Sequence, residues 1–140
     1  MADVSTPSNA VMAVAASALK AQQARMRIIA ENMANADSVA STPGGDPYRR
    51  QVPVFGPIQM DGGLEGVAMK SVAADPSNFR KEYQPGHPAA DTKGYVQLPN
   101  VDPLIEAMDM RDAQRAYEAN LNVIDAAKEM QSSTLELLKR

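Results

Sequence analysis

The residues that break helices are confined to the middle of this chain. All eight glycines lie within residues 44–94, and eight of the ten prolines lie within residues 43–99. The other two, Pro7 and Pro103, stand where helices can begin, because proline is well tolerated in a first turn. A threonine or an aspartate precedes each of them and can cap the free N–H groups of that turn. This distribution predicts two long terminal helices and a non-helical segment between them.

Both flanks also carry a helical periodicity. Apolar or small residues recur at alternating steps of three and four over residues 12–36 and again over residues 110–138. That spacing is typical of a coiled-coil seam. It predicts helices over residues 7–36 and from residue 103 to the end, roughly 45 and 55 Å long at 1.5 Å per residue.

The middle of the chain favours short strands and turns. Residues 66–73 and 94–98 are strand candidates, whereas two prolines restrict residues 48–58 to an edge or an irregular arm. We therefore expect a mainly α protein whose long N- and C-terminal helices form an antiparallel coiled-coil-like pair, with an extended loop and a small β-ribbon insert. The expected segments are a discontinuous helical domain of residues 1–37 plus 102–140, a loop or arm of residues 38–65, and the β insert of residues 66–101.

Composition excludes several classes of function. The net charge of −3 gives no overall attraction to nucleic acid, and the absence of cysteine removes disulfides and thiolate sites. The alanine-rich N-terminal helix offers little area to bury, and burial must exceed an ordering cost of roughly 1–2 kcal/mol per residue. We therefore expect the helical seams to be satisfied by neighbouring chains, and the termini to be largely disordered until polymerisation.

No segment carries the signature of a catalytic, cofactor or metal site. His87 is the only histidine, and a turn between two prolines accounts for it. The carboxylates are dispersed, and the glycine pair of PGGDP (43–47) lacks the lysine and serine or threonine of a phosphate-binding loop. We expect no enzyme activity, no cofactor, no metal, no nucleic acid and no small-molecule substrate. A carboxylate-based hydrolase is the weakest of the functions considered.

Three asparagines and one basic step stand out from the helical pattern. Asn32 and Asn35 lie one turn apart where the first helix should end, a position that asparagine often occupies. Asn120 falls within the second helix, where asparagine is disfavoured unless it faces solvent or has a partner. The YRR step (48–50) lies in an acidic protein and favours contact with carboxylates of a partner.

Two separated segments, RIIAENMANADS (27–38) and DMRDAQRAYEANLNVIDAAKEM (109–130), resemble the flagellar axial proteins, which include rod, hook and hook-filament junction proteins. TPGGDPYRR (42–50), YQPGHPAADTKGYVQLPNVD (83–102) and the short length are similar to the proximal rod members of that family. The resemblance implies terminal helices that pair into an inner layer around a channel, with the middle segment packed outside.

The resemblance further implies a structural subunit of the bacterial flagellar basal body that polymerises into the drive shaft between motor and hook. Its partners would be copies of itself, other rod proteins, the type III export apparatus and an adaptor at the MS ring or export gate. It would occupy the periplasmic rod and be exported without a cleaved signal peptide, because the apolar residues 10–19 follow no positive region. The alternative from the helical pattern alone is a soluble coiled-coil adaptor or secretion chaperone that forms a small closed oligomer.

The expected subunit-contact residues come from the family motifs, the helix seams and the basic step. The motifs imply Asn32, Asn35, Tyr117, Asn120, Leu121 and Ile124; the seams add Leu19, Met26, Ile29, Met33 and Leu138; and the basic step adds Tyr48, Arg49 and Arg50.

Overall fold

The computed structural model describes residues 6–139. Residues 1–5 and 140, which the expected helical domain includes, lie outside the described residues. The two predicted long helices are confirmed: α1 spans Pro7–Ala34 and α2 spans Pro103–Leu138. Asp102 caps α2, since its carboxylate accepts from the N–H of Leu104 at 2.9 Å.

Four strands form two separate two-stranded sheets. β1 (Gln51–Gln59) pairs with β2 (Glu65–Ala74) across the short 3₁₀ turn Asp61–Gly63, and β3 (Arg80–Tyr83) pairs with β4 (Tyr95–Leu98). The β3–β4 pair is antiparallel, with Arg80 opposite Leu98 and Tyr83 opposite Tyr95. The expected single β ribbon is therefore two ribbons.

Of the two alternatives for residues 48–58, an edge strand or an irregular arm, most of the segment forms an edge strand, β1. Pro53 and Pro57 both lie within β1. A two-stranded sheet has an open edge along each strand, so a missing N–H on that side removes no ladder bond. β3 was not expected from the sequence, because its four residues RKEY are mostly charged and all exposed.

The turn between β3 and β4 contains the only histidine of the chain. His87 accepts a hydrogen bond from the N–H of Ala89 on its Nδ1 at 3.0 Å, and its own N–H donates to the Gln84 carbonyl. The turn role expected for His87 is confirmed. Gly94 closes the turn at φ 84, a conformation that favours glycine.

The chain divides into two compact units, and both helices and the β1–β2 ribbon contribute to each. Of the described residues, the first unit comprises 6–26, 54–71 and 111–139, and the second comprises 27–53 and 72–110. In the first unit β2 contacts α1, since the N–H of Val67 donates to the Ser17 hydroxyl at 3.2 Å.

The two units differ in what they bury. Among the described residues of the first unit, the buried ones are small: Ala15, Ser17, Ala21, Ala113 and Ala127. The second unit buries branched aliphatic residues together with an asparagine and a glutamate. Its members are Ile28, Ile29, Asn32, Ala36, Pro47, Ala89, Gly94, Val96, Pro99, Val101 and Glu106.

Candidate assembly site

The second unit contains an ion pair between a fully buried glutamate and a partly buried arginine. Glu106, in the first turns of α2, has 0% of its surface exposed. Its Oε1 accepts a hydrogen bond from the Arg50 Nε, and its Oε2 lies 3.4 Å from the Asn32 amide nitrogen. A buried carboxylate requires such partners, because its desolvation is costly when it is left unpaired.

Arg50 joins Glu106 to three further side chains. Its two terminal nitrogens lie 3.3 Å from Asp75 and 3.4 Å from Asp109, and its backbone N–H donates to the Asn100 side-chain oxygen at 2.8 Å. Partial burial by itself lowers the pKa of Arg50, but the hydrogen bonds and charges of Glu106 and Asp75 outweigh it and raise the pKa. The guanidinium is therefore held in its charged form by the surrounding carboxylates.

Asn32 ties the end of α1 to the start of β1. Its side chain is 1% exposed and bonds to both backbone groups of Gln51: the amide nitrogen donates to the carbonyl at 2.8 Å, and the amide oxygen accepts from the N–H at 2.9 Å. The same oxygen accepts from the Tyr48 hydroxyl at 2.9 Å. Burial, followed by the charges of Glu31 and Glu106, raises the pKa of Tyr48, so the phenol remains a donor.

Arg49 holds the segment that follows β2. Its guanidinium donates to the carbonyls of Asp75 and Ser77 at 2.8 and 2.9 Å and lies 4.1 Å from the centre of the Phe79 ring. The Asn100 amide donates to the same two carbonyls at 3.2 and 3.1 Å. Arg49, which was predicted to contact a partner, thus makes intramolecular contacts with the segment after β2.

Asp75 is the second acidic partner of Arg50, and its own loop orients it. The Ser77 N–H donates to the Asp75 carboxylate at 2.8 Å. The backbone and side chain of Ser77, then Arg50, hold the pKa of Asp75 below its ordinary value of 3.8. The carboxylate is therefore ionised at neutral pH and available to the guanidinium.

The contacts of this cluster hold segments of the chain together. One guanidinium is shared by three carboxylates, those of Glu106, Asp75 and Asp109, and the amides of Asn32 and Asn100 bond to backbone groups. In residues 6–139 no group of three or more histidine, aspartate or glutamate side chains is placed to hold a metal ion. No helix in that range is long and apolar enough to cross a bilayer. The geometry joins α1, α2 and the loop after α1 within the second unit.

The predicted contact residues fall into three groups. Asn32, Tyr48 and Arg50 come together in this cluster, and Arg49 lies beside it. Asn35 and Asn120 bond within the turn that carries them, to the carbonyls of Glu31 and Ala116, whereas the Tyr117 hydroxyl of α2 lies 3.5 Å from the side-chain nitrogen of Gln23 in α1. Of the apolar members, Ile29 is buried, Leu19, Met26 and Ile124 are half-buried, and Met33, Leu121 and Leu138 are exposed.

Sequence reasoning missed the residue at the centre of the cluster. Leu104, Ile105 and Met108 surround Glu106 in the sequence, and helical amphipathicity would direct such residues inward. They are instead 71%, 52% and 60% exposed, and Glu106 is the only buried residue among the first eight of α2. No local signal in the sequence indicates this inversion, because the partner residues Arg50 and Asn32 are remote.

Comparison with known proteins gives two family matches and several close relatives. Residues 12–40 match the family "Flagella basal body rod protein", and residues 92–137 match "Flagellar basal body rod FlgEFG protein C-terminal". The chain is 48% identical to the flagellar basal-body rod protein FlgC of Agrobacterium fabrum, over 95% of this chain and 96% of the relative. The FlgC proteins of Yersinia enterocolitica and Bacillus subtilis are 44% and 39% identical, over 89% and 90% of this chain and 92% and 95% of their own lengths.

Proposed function

This chain belongs to the family of flagellar basal-body rod proteins named FlgC, and we propose that it polymerises as a structural subunit of the proximal rod. In that role it forms part of the drive shaft that transmits torque from the motor to the hook. The observation that carries the proposal is the 48% identity that extends over 95% of the chain.

In this proposal the two long helices of each subunit build the shaft. We place α1 and α2 in an antiparallel coiled-coil-like pair that packs against the pairs of neighbouring subunits. Two contacts support the pairing: Gln23 with Tyr117 in the first unit, and Asn32 with Glu106 in the second. The buried residues of the first unit are alanines and one serine, so this part gains little from its own packing. Neighbouring chains would supply the remaining burial.

The predicted contact residues act in two ways in this proposal. Met33, Leu121 and Leu138 are exposed and available to a neighbouring subunit. Ile29 and Asn32 are buried and would act by holding α1 in the shape that presents those residues. The other nine predicted contact residues, from the helix seams, the family motifs and the basic residues 48–50, would complete the contact layer.

The partners follow from the role in the rod. They are copies of this chain, other rod proteins, and an adaptor at the MS ring or export gate at the base. The chain reaches the periplasmic rod through the type III export apparatus without cleavage of a signal peptide. No reaction is proposed, because the charged side chains of the cluster bond to one another and to the backbone of the same chain.

An in-frame deletion in a motile bacterium that carries this protein tests the role. We expect loss of swimming and of hook-bearing basal bodies in electron micrographs, with both restored by the intact chain. Basal bodies that retain a complete rod and hook in the deletion strain would refute the proposal.

A matched pair of variants tests the contact layer in the same strain. Leu121→Asp places a charge on an exposed apolar position and should abolish motility, whereas Asn122→Asp changes the neighbouring exposed polar residue and should preserve it. Equal motility of the two variants would remove Leu121 from the interface. Sedimentation of the purified chain separates the alternative, since an adaptor would form a closed oligomer that persists on dilution.

A further inference from the structure

In the first unit, the buried residues of α1 and α2 offer little that fixes one helix along the other. Between residues 6 and 26 and between 111 and 139, the buried residues of these helices are alanines and one serine. Small side chains form shallow knobs and holes, so a displacement along the axis meets little resistance. A helix pair of this kind needs some other feature to select a single register.

The second unit contains a feature of the required kind. Asn32 of α1 and Glu106 of α2 are both almost completely buried and lie within 3.4 Å of each other. Arg50 completes the ion pair, and the loop that carries it is bound to Asn32 through Gln51. A displacement of α1 with its loop would separate Glu106 from both partners at once and leave a buried carboxylate unpaired, which is strongly unfavourable.

The orientation of α2 strengthens the argument. Its first turns expose three large apolar residues, Leu104, Ile105 and Met108, and direct a glutamate into the interior. Turning the apolar residues inward would bury more hydrophobic surface. A buried charge in place of apolar residues lowers stability but restricts the helices to one register, as a single buried polar residue does in coiled coils.

We infer that the cluster of Asn32, Arg50 and Glu106 sets the axial register of α1 against α2 within the single chain, before any subunit contact forms. The three are positioning residues: they select one of several registers that the apolar surfaces alone would tolerate. This register belongs to one chain and does not rest on the proposed role in the rod.

Spin-label distances in the monomeric full-length chain test the inference. The chain has no cysteine, so Met33→Cys and Met108→Cys introduce the only two labelling sites, both at exposed positions of the second unit. Double electron–electron resonance on this labelled chain should give one narrow distance distribution. A broad or multiple distribution in the otherwise unchanged chain would overturn the inference.

The decisive variant replaces the ion pair by apolar residues of similar size. Arg50→Met with Glu106→Leu keeps the interior filled, and such replacements often preserve folding. We expect the helical circular dichroism to remain and a second distance population to appear, displaced by about one helical turn, roughly 5.4 Å. A single unchanged peak would show that the apolar packing already sets the register and would refute the inference.

Two further variants complete the test. Asp112→Ala with Arg115→Ala removes an exposed ion pair of α2 with a 3.7 Å separation and should leave the distribution unchanged; a second population there would refute the assignment to the cluster. If the apolar double variant did not fold, Glu106→Gln would decide, because it keeps the side-chain shape and removes the charge that attracts Arg50. A second population in Glu106→Gln supports the inference, and a single wild-type peak overturns it.

Discussion

Asn32 bonds to Gln51 as a neighbouring strand would. A side-chain amide offers a donor and an acceptor side by side, and Asn32 uses them on the N–H and the carbonyl of one residue. Aspartate would lack the donor and leucine would lack both groups. The position at the end of a helix suggested ordinary capping for this residue. Asn35, one turn later, does bond locally, to the carbonyl of Glu31.

Replacement of Asn32 by alanine should be costly. It leaves the backbone groups of Gln51 and the hydroxyl of Tyr48 without their partner in a partly buried place, and we expect a loss of roughly 1–3 kcal/mol in the free energy of unfolding. Urea denaturation followed by circular dichroism measures it. Asn120→Ala is the control, since Asn120 bonds only to the carbonyl of its own preceding turn, and it should change stability by less than about 0.5 kcal/mol.

The lowered pKa of Asp75 predicts a dependence of stability on acid. Because the pKa in the folded chain lies below the ordinary 3.8, the ionised carboxylate stabilises the fold above pH 3.8. That contribution is lost as the pH falls from 3.8 through the folded value. Urea midpoints measured from pH 7 downward should therefore decline less steeply in Asp75→Asn than in the unchanged chain. Identical slopes for Asp75→Asn and the unchanged chain would contradict this assignment.

At the scale of elements, the contact between the β1–β2 ribbon and α1 depends on Gly66. A Cβ at Gly66 would lie 2.5 Å from the Met60 sulfur and 2.7 Å from the Ser17 hydroxyl. That hydroxyl also accepts from the N–H of Val67, so it cannot move aside without losing a bond. The absence of a side chain at this position lets strand and helix approach each other.

Gly66→Ala should therefore weaken the first unit. Overpacking of this kind costs typically about 1–3 kcal/mol, visible as a lower thermal midpoint and loss of helical signal. Gly86→Ala is the matched control, because a Cβ there meets nothing within 4 Å, and it should be neutral or slightly stabilising. Equal thermal midpoints for the two variants would show that the close approach at Gly66 does not affect stability.

The elements differ in how far the sequence could predict them. α1 and α2 followed from the positions of glycine and proline and from the apolar spacing, which are local properties. β2 and β4 followed from strand-forming residues, whereas β3 is charged and exists through its pairing with β4. The inward position of Glu106 could not be predicted, because it depends on Arg50, 56 residues away, and Asn32, 74 residues away.

At the scale of the whole molecule, both units contain parts of the same two helices, but they bury different kinds of residue. The second unit has isoleucines, valines and a saturated polar cluster, whereas the described interior of the first consists of alanines and a serine. Full burial of a large aliphatic side chain contributes about 1.5–3 kcal/mol, and alanine contributes much less. The stability of the free chain is therefore expected to be uneven along its length.

Hydrogen exchange read by mass spectrometry should reveal this unevenness in the free chain. We expect peptides from residues 7–26 and 111–138 to exchange faster than peptides from residues 27–53 and 72–110, because local opening exposes less apolar surface in the first set. In the assembled polymer the terminal peptides should become protected. Uniform protection of both sets in the monomer would contradict the expectation.

The pairing of Arg50 with Glu106 also imposes an order in time. A chain made from its N-terminus at about 5–20 residues per second needs roughly 3–11 s to add the 56 residues that separate the two. During that interval α1 and its loop can bond through Asn32 and Gln51, but the guanidinium has no glutamate to meet. The ion pair that completes the interior of the second unit therefore cannot form until the entire β region has been made, because Glu106 follows that region in the sequence.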